Sequence, residues 1–276
     1  MRLFHGFITS ILLFAATAIH ADSVILIHGW AANADTWKYS GVQSQMMRHG
    51  WSDAGIITVD GAGRAILFSA ENVSDKRFYK VVLPAQLPLL AQAQLLFSQV
   101  NLIKQKHPDE KITLVGHSAG GLVARLMLLN RNAPSVNSLV TIATPNLGTS
   151  RAIEGLDVID AKPFFCPGPG IDFLKSVFAG DQYQYLRNSR AAVTDMLPVE
   201  YGGLINWMNQ QVHPDIEYHA IIKQIPGENG DGIVTARSQD LGQVAALRGK
   251  VKLYPVLSEH ALNPADGDLL NTILMQ

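Results

Sequence analysis

The chain has 276 residues, of which 47% are hydrophobic and 16% charged, and its formal net charge is −1. A length of this order supports one large domain of α/β size, or one domain with a sizeable insertion. Near-neutral charge without long Lys/Arg runs excludes the electrostatic footprint of a nucleic-acid binder and polybasic attraction to a membrane, so any lipid contact has to be apolar.

Taken in order, the chain starts with the pattern of an export signal. Arg2 gives a short positive region, residues 3–19 are mostly apolar, and Ala21 offers a small residue for cleavage before Asp22. Residues 1–21 read as a secretory signal peptide, which implies a secreted or periplasmic protein; an uncleaved N-terminal anchor is the alternative. Cys166 is the only cysteine, so no intramolecular disulfide can form and the core must hold the fold.

The exported part, residues 22–276, alternates strand and helix patterns. Residues 24–27 (Val-Ile-Leu-Ile) form a continuous apolar run, the mark of a strand buried on both faces, and lead into His28-Gly29-Trp30. A helix is expected from Asp35 to about His49, stopped by Gly50. Residues 56–59 make a second buried strand ending at Asp60. Residues 64–84 show no clear period and read as a long loop. An apolar stripe over 85–106 predicts a helix closed by Pro108, and strands follow at 112–115 and 138–142.

Residues 147–214 break the alternation. They are rich in aromatics (Phe164, Phe165, Phe173, Phe178, Tyr183, Tyr185, Trp207) and in Gly and Pro, and read as an inserted cap of short helices. Strands resume at 217–222 and 251–256, and a helical segment closes the chain. Such alternation predicts a mostly parallel sheet with right-handed crossovers, flanked by helices.

Chemistry concentrates at Gly116-His117-Ser118-Ala119-Gly120-Gly121, between a strand pattern and a helix pattern. The spacing G-x-S-x-G there makes a sharp turn that exposes the serine at the end of a sheet. Serine needs a base to become a nucleophile, and histidine has a suitable pKa. A carboxylate on the other imidazole nitrogen fixes the tautomer. The chain order Ser118, Asp231, His260 suits this elbow. His213 and His219 are rivals for the base but sit before and within a strand pattern. His28 and His117 lie inside motifs whose backbone is the working part. Asp195 and Asp60 are rivals for the acid; Asp195 reads as a tie for the cap, and Asp60 precedes the elbow.

Together, Ile27-His28-Gly29-Trp30, the elbow, Asn229-Gly230-Asp231-Gly232-Ile233-Val234, Glu259-His260 and residues 191–198 (Ala-Ala-Val-Thr-Asp-Met-Leu-Pro) resemble the α/β-hydrolase superfamily. Within it they resemble bacterial lipases and esterases and the related inositol-deacylase-like proteins. The resemblance implies an α/β-hydrolase fold over residues 22–276 with the 147–214 cap. It also implies an exported serine hydrolase that cleaves carboxylic esters, of lipid or acyl type, through an acyl-enzyme. Ser118, His260 and Asp231 would form the triad, and the backbone N–H groups of Trp30 and Ala119 the oxyanion hole. The same triad would serve an acyltransferase, and a non-catalytic binding protein on this fold is the alternative from another class.

No cofactor or catalytic metal is implied. A structural calcium, which some bacterial lipases hold partly on an aspartate just after the catalytic histidine, is not supported, because Ala261-Leu262 stand there. Asp266 and Asp268 around a glycine read as an ordinary turn. The expected partner is an ester or lipid substrate, with transient contact to a lipid surface, no nucleic acid, and a monomeric state.

Overall fold

A computed structural model describes residues 22–160 and 182–276. The expected signal peptide therefore lies outside the described residues, as do Cys166 and the cap aromatics Phe164, Phe165, Phe173 and Phe178. Among the described residues no helix is long and apolar enough to cross a membrane.

The centre is an eight-stranded sheet: β1 (Asp22–Ile27), β2 (Ser52–Val59), β3 (Ala65–Ser69), β4 (Lys76–Val81), β5 (Lys111–His117), β6 (Ser138–Ile142), β7 (Glu217–Gln224) and β8 (Val251–Leu257). Their order is β3-β2-β4-β1-β5-β6-β7-β8. Only the β2–β3 pair is antiparallel. The mostly parallel sheet read from the sequence is therefore present, and β1 and β5 run side by side at its middle.

Residues 64–84 correct the expected loop, because they contain β3 and β4. β3 is an edge strand whose short apolar run, Ala-Ile-Leu-Phe at 65–68, stays half-exposed or exposed, and the loop reading passes over that run. β4 is internal, but Lys76, Arg77 and Lys80 interrupt its pattern. Lys80 tolerates burial because its Nζ pairs with Asp53 Oδ2 at 2.6 Å and donates to Gln43 Oε1 at 3.0 Å.

Helices cover both faces. On one lie α3 (Leu89–Lys106) and α4 (Ala119–Leu128), packed with Ile25 and Ile27. On the other, α1 (Thr36–Tyr39) and α2 (Val42–Arg48) meet Val24 and Leu26. The single helix expected from Asp35 to His49 is thus two. Gly41 stands between them at φ +83°, a conformation that excludes most side chains, and a Cβ there would lie 2.9 Å from Pro264.

The described part of the cap is helical: α5 (Ser150–Asp160), α6 (Gln182–Asn188), α7 (Arg190–Asp195), a 3₁₀ turn at Val199–Tyr201, and α8 (Leu204–Asn209). After β7 come the short α9 (Ala236–Gln239) and, past β8, α10 (Pro264–Leu274), which packs on the α2 face. Ser118, Asp231 and His260 follow β5, β7 and β8, so they gather at the carboxyl edge of the sheet, where parallel α/β sheets place their ligands.

Candidate active site

Ser118 sits between β5 and α4 at φ +52°, ψ −127°, a backbone state that a non-glycine residue adopts only under constraint. The constraint is visible around it. A Cβ on Gly116 would lie 2.5 Å from the backbone of Gly121, and one on Gly120 would lie 2.5 Å from the carbonyl oxygens of Ile27 and His28. On Gly121 it would lie 2.1 Å from Thr144 Oγ1. The helix packs so close to the sheet that only hydrogen fits at these three positions. The Ser118 N–H donates to Ile142 O at 2.8 Å, which pins the turn to β6.

The three predicted residues form one hydrogen-bonded chain. His260 Nε2 is 3.0 Å from Ser118 Oγ, and His260 Nδ1 is 2.7 Å from Asp231 Oδ2. Asp231 is buried, and its Oδ1 accepts the backbone N–H groups of Ile233 (2.9 Å) and Val234 (2.7 Å). Those bonds exist because the loop turns sharply at Gly230 (φ +143°), where a Cβ would lie 2.2 Å from Val234 O. A carboxylate anchored in this way holds the imidazole proton on Nδ1, leaving Nε2 free to accept.

Three neighbours have roles at the site that the sequence does not show. Gln239 is buried on α9, and its Nε2 lies 3.1 Å from Asp231 Oδ2 and 2.9 Å from Lys223 O, while its Oε1 accepts the Lys223 N–H at 2.7 Å. Lys223 and Asp266 form a buried ion pair of 2.7 Å. Asp266, read as a turn residue, also closes a capping box with Asn263 at the start of α10, but no short motif marks Gln239 or Lys223, whose roles arise from pairings across the fold.

The histidines set aside in the sequence have other work. His28 Nε2 accepts the N–H of Leu83 at 3.1 Å, so its proton is on Nδ1, which donates to Gly29 O at 2.9 Å. It thereby ties the loop carrying Gly29 and Trp30 to the end of β4, and burial lowers its pKa. His117 Nε2 donates to His260 O at 3.0 Å, and burial, reinforced by the facing His260, pushes its pKa down to about 3. His213 Nε2 accepts from the buried Arg125 at 3.1 Å, and His219 Nδ1 lies 3.1 Å from Tyr254 OH. Asp195 Oδ2 accepts the Leu89 N–H at 2.8 Å and so ties α7 to the start of α3. Asp60 closes a turn on Arg64.

A cavity of about 150 Å³ opens beside Ser118 and His260. Ala31, Pro145, Ala152, Gly155, Leu186, Val193, Met196, Ile233 and Val234 give it mostly apolar walls, with Trp30, Thr149 and Arg151 also lining it. The Trp30 ring stands 5.9 Å from that of Tyr185. Ala119 opens α4, so its N–H is one of those a helix cannot satisfy internally, and it follows the serine at the mouth of this cavity. Such an N–H favours negative charge developing nearby.

No group of three or more His, Cys, Asp or Glu among the described residues could hold a metal ion. Asp266 faces Lys223, and Asp268 pairs with His49 at 2.8 Å, so the two carboxylates around Gly267 serve different partners.

A model of the PGAP1-like alpha/beta domain family matches residues 19–158, just over half of the chain. The GPI inositol-deacylase of Debaryomyces hansenii is 32% identical over 74 residues, which are 24% of this chain and 7% of that protein. The match thus spans a small fraction of that relative's length. Among solved structures, a lipase of Bacillus licheniformis in its mature form aligns with a TM-score of 0.60 at 15% identity, covering 93% of this chain and 91% of that one. A gene product of Listeria innocua gives 0.56 at 20% identity (92% and 91%), and an esterase of Exiguobacterium antarcticum 0.53 at 14% (93% and 91%). These likenesses establish the α/β-hydrolase fold.

Proposed function

The chain belongs to the PGAP1-like alpha/beta domain family, and on that premise we propose that it is an exported serine hydrolase of carboxylic esters working through an acyl-enzyme. The observation that carries this reading is the chain Ser118 Oγ–His260 Nε2 (3.0 Å) and His260 Nδ1–Asp231 Oδ2 (2.7 Å), opening onto an apolar cavity. Ser118 Oγ attacks the ester carbonyl carbon as its proton passes to His260 Nε2. Asp231 holds the imidazole and stabilises the imidazolium. The N–H groups of Trp30 and Ala119 hold the oxyanion, a contribution worth about 10²–10³-fold in rate for each donor. The tetrahedral intermediate collapses with cleavage of the C–O bond, and His260 gives its proton to the departing alcohol. Water then repeats the sequence on the acyl-enzyme, with His260 again as base, and releases the acid.

Apolar walls suit an apolar acyl group, which supports lipid or simple acyl esters as the substrate class. Export to the periplasm or the medium, a monomeric state and a transient contact with a lipid surface complete the proposal. The test is hydrolysis of p-nitrophenyl esters of graded chain length, together with labelling by a fluorophosphonate probe. Wild type is expected to turn over and to be labelled on Ser118, and Ser118→Ala to do neither. A wild type that is neither active nor labelled refutes the reading.

A further inference from the structure

We propose that Lys223 is the positioning residue that sets His260 against Asp231, a role that rests on the ester-hydrolase reading of the site. His260 lies on the loop between β8 and α10, and two consecutive carbonyls of that loop are held by buried donors from the sheet. His117 Nε2, at the end of β5, donates to His260 O at 3.0 Å, and Lys223 Nζ, on β7, donates to Ala261 O at 2.7 Å. The base is thus suspended from β5 and β7, the strands on either side of β6, through its own carbonyl and the next one.

Lys223 also reaches the acid. Its backbone N–H and C=O both bond the Gln239 amide (2.7 and 2.9 Å), and the same amide lies 3.1 Å from Asp231 Oδ2. One residue is therefore linked to Asp231 through its main chain and to the His260 loop through its side chain. The loop's far end is fixed as well. Asp266 Oδ2 accepts from Lys223 Nζ at 2.7 Å and from the Asn263 N–H at 2.8 Å, which caps α10.

The lysine side chain is 0% exposed and Asp266 3%. Burying such a pair carries a heavy desolvation cost for each ion, and an apolar pair of similar volume often gives equal or greater stability. Core packing alone does not call for a lysine here. An apolar side chain could not offer a donor to Ala261 O.

The experiment compares Lys223→Met with the double variant Lys223→Met/Asp266→Asn, in which the asparagine keeps an acceptor for the Asn263 N–H. Thermal midpoint, kcat and KM on a p-nitrophenyl ester are read for each. The single variant leaves Asp266 buried and unpaired, so its midpoint falls; the double variant recovers most of it. In both, kcat is expected about 10- to 100-fold below wild type with KM little changed, since a displacement of order 1 Å at a reacting group costs about 10²-fold. A double variant that regains wild-type kcat along with its midpoint would overturn the proposal, as would a single variant with undiminished kcat. An inactive, unlabelled wild type would instead overturn the hydrolase reading beneath it.

Discussion

Replacing Asp231 by asparagine tests the proposed chemistry most directly, because the surrounding donors dictate how the amide must sit. Oδ1 accepts two backbone N–H groups, from Ile233 at 2.9 Å and Val234 at 2.7 Å, so the amide oxygen has to take that place. The NH₂ then falls where Oδ2 was, 2.7 Å from His260 Nδ1 and 3.1 Å from Gln239 Nε2. Donor meets donor at both contacts. His260 can relieve its own by moving the proton to Nε2, but that nitrogen then cannot accept from Ser118. In serine hydrolases of this logic the wrong tautomer lowers kcat by about 10⁴-fold, or about 5 kcal/mol of transition-state stabilisation. The unrelieved contact with Gln239 removes a further 1–3 kcal/mol, roughly, from folding stability. Both are measurable, the first from kcat and the fluorophosphonate labelling rate, the second from urea unfolding. An Asp231→Asn variant that keeps more than about a tenth of wild-type kcat would refute this account of the relay.

His28→Ala removes the acceptor of the buried Leu83 N–H, so urea unfolding should show a loss of about 1–3 kcal/mol, with kcat falling as the Gly29-Trp30 loop loosens; unchanged kcat would disconnect that loop from catalysis. Gly155→Val narrows the cavity where a Cβ already comes within 3.3 Å of Val193, and should shift the p-nitrophenyl ester preference toward shorter chains; an unaltered chain-length profile would place the acyl group elsewhere. His213, whose pKa burial and then Arg125 push down to about 4, stays neutral in the folded protein while the unfolded chain protonates near 6.5. Its stabilisation is therefore complete above pH 6.5 and lost as pH falls toward 4, by on the order of 3 kcal/mol. His213→Gln should flatten that part of the urea-midpoint profile, and identical slopes for the two proteins would refute it.

What could be read from the sequence follows from where the physics is local. β1, β5 and β6 are buried on both faces and announce themselves as apolar runs, and the elbow announces itself through glycines that only a tight packing requires. The loop reading of 64–84 fails for two reasons. β3 carries a short apolar run, Ala-Ile-Leu-Phe at 65–68, that a loop reading overlooks and that stays partly exposed at an open edge, and β4 buries a lysine whose acceptors come from residues 43 and 53. At the site, Ser118, Asp231 and His260 are legible because each follows a strand, directly or in the next loop, in a fixed chain order. Gln239, Lys223 and Asp266 are not, since an isolated glutamine, lysine or aspartate looks like surface until the fold shows what it touches. Asp195 was weighed as an acid and read as a tie, and its bond to the Leu89 N–H is that tie.

The position of β1 has a consequence for how the protein comes into being. It precedes all seven other strands in the chain yet sits between β4 and β5, so its backbone finds its two partners only when residues 76–81 and then 111–117 have arrived. Until then the run Val-Ile-Leu-Ile at 24–27 is an unpaired apolar strand, and parallel pairing over such separations is slow because the intervening chain must be closed into a loop first. Assembly of the sheet is in this sense a race between β-pairing within one molecule and β-pairing between molecules. Soluble yield should therefore respond to temperature, concentration and chaperone supply more steeply than the stability of the finished fold would suggest.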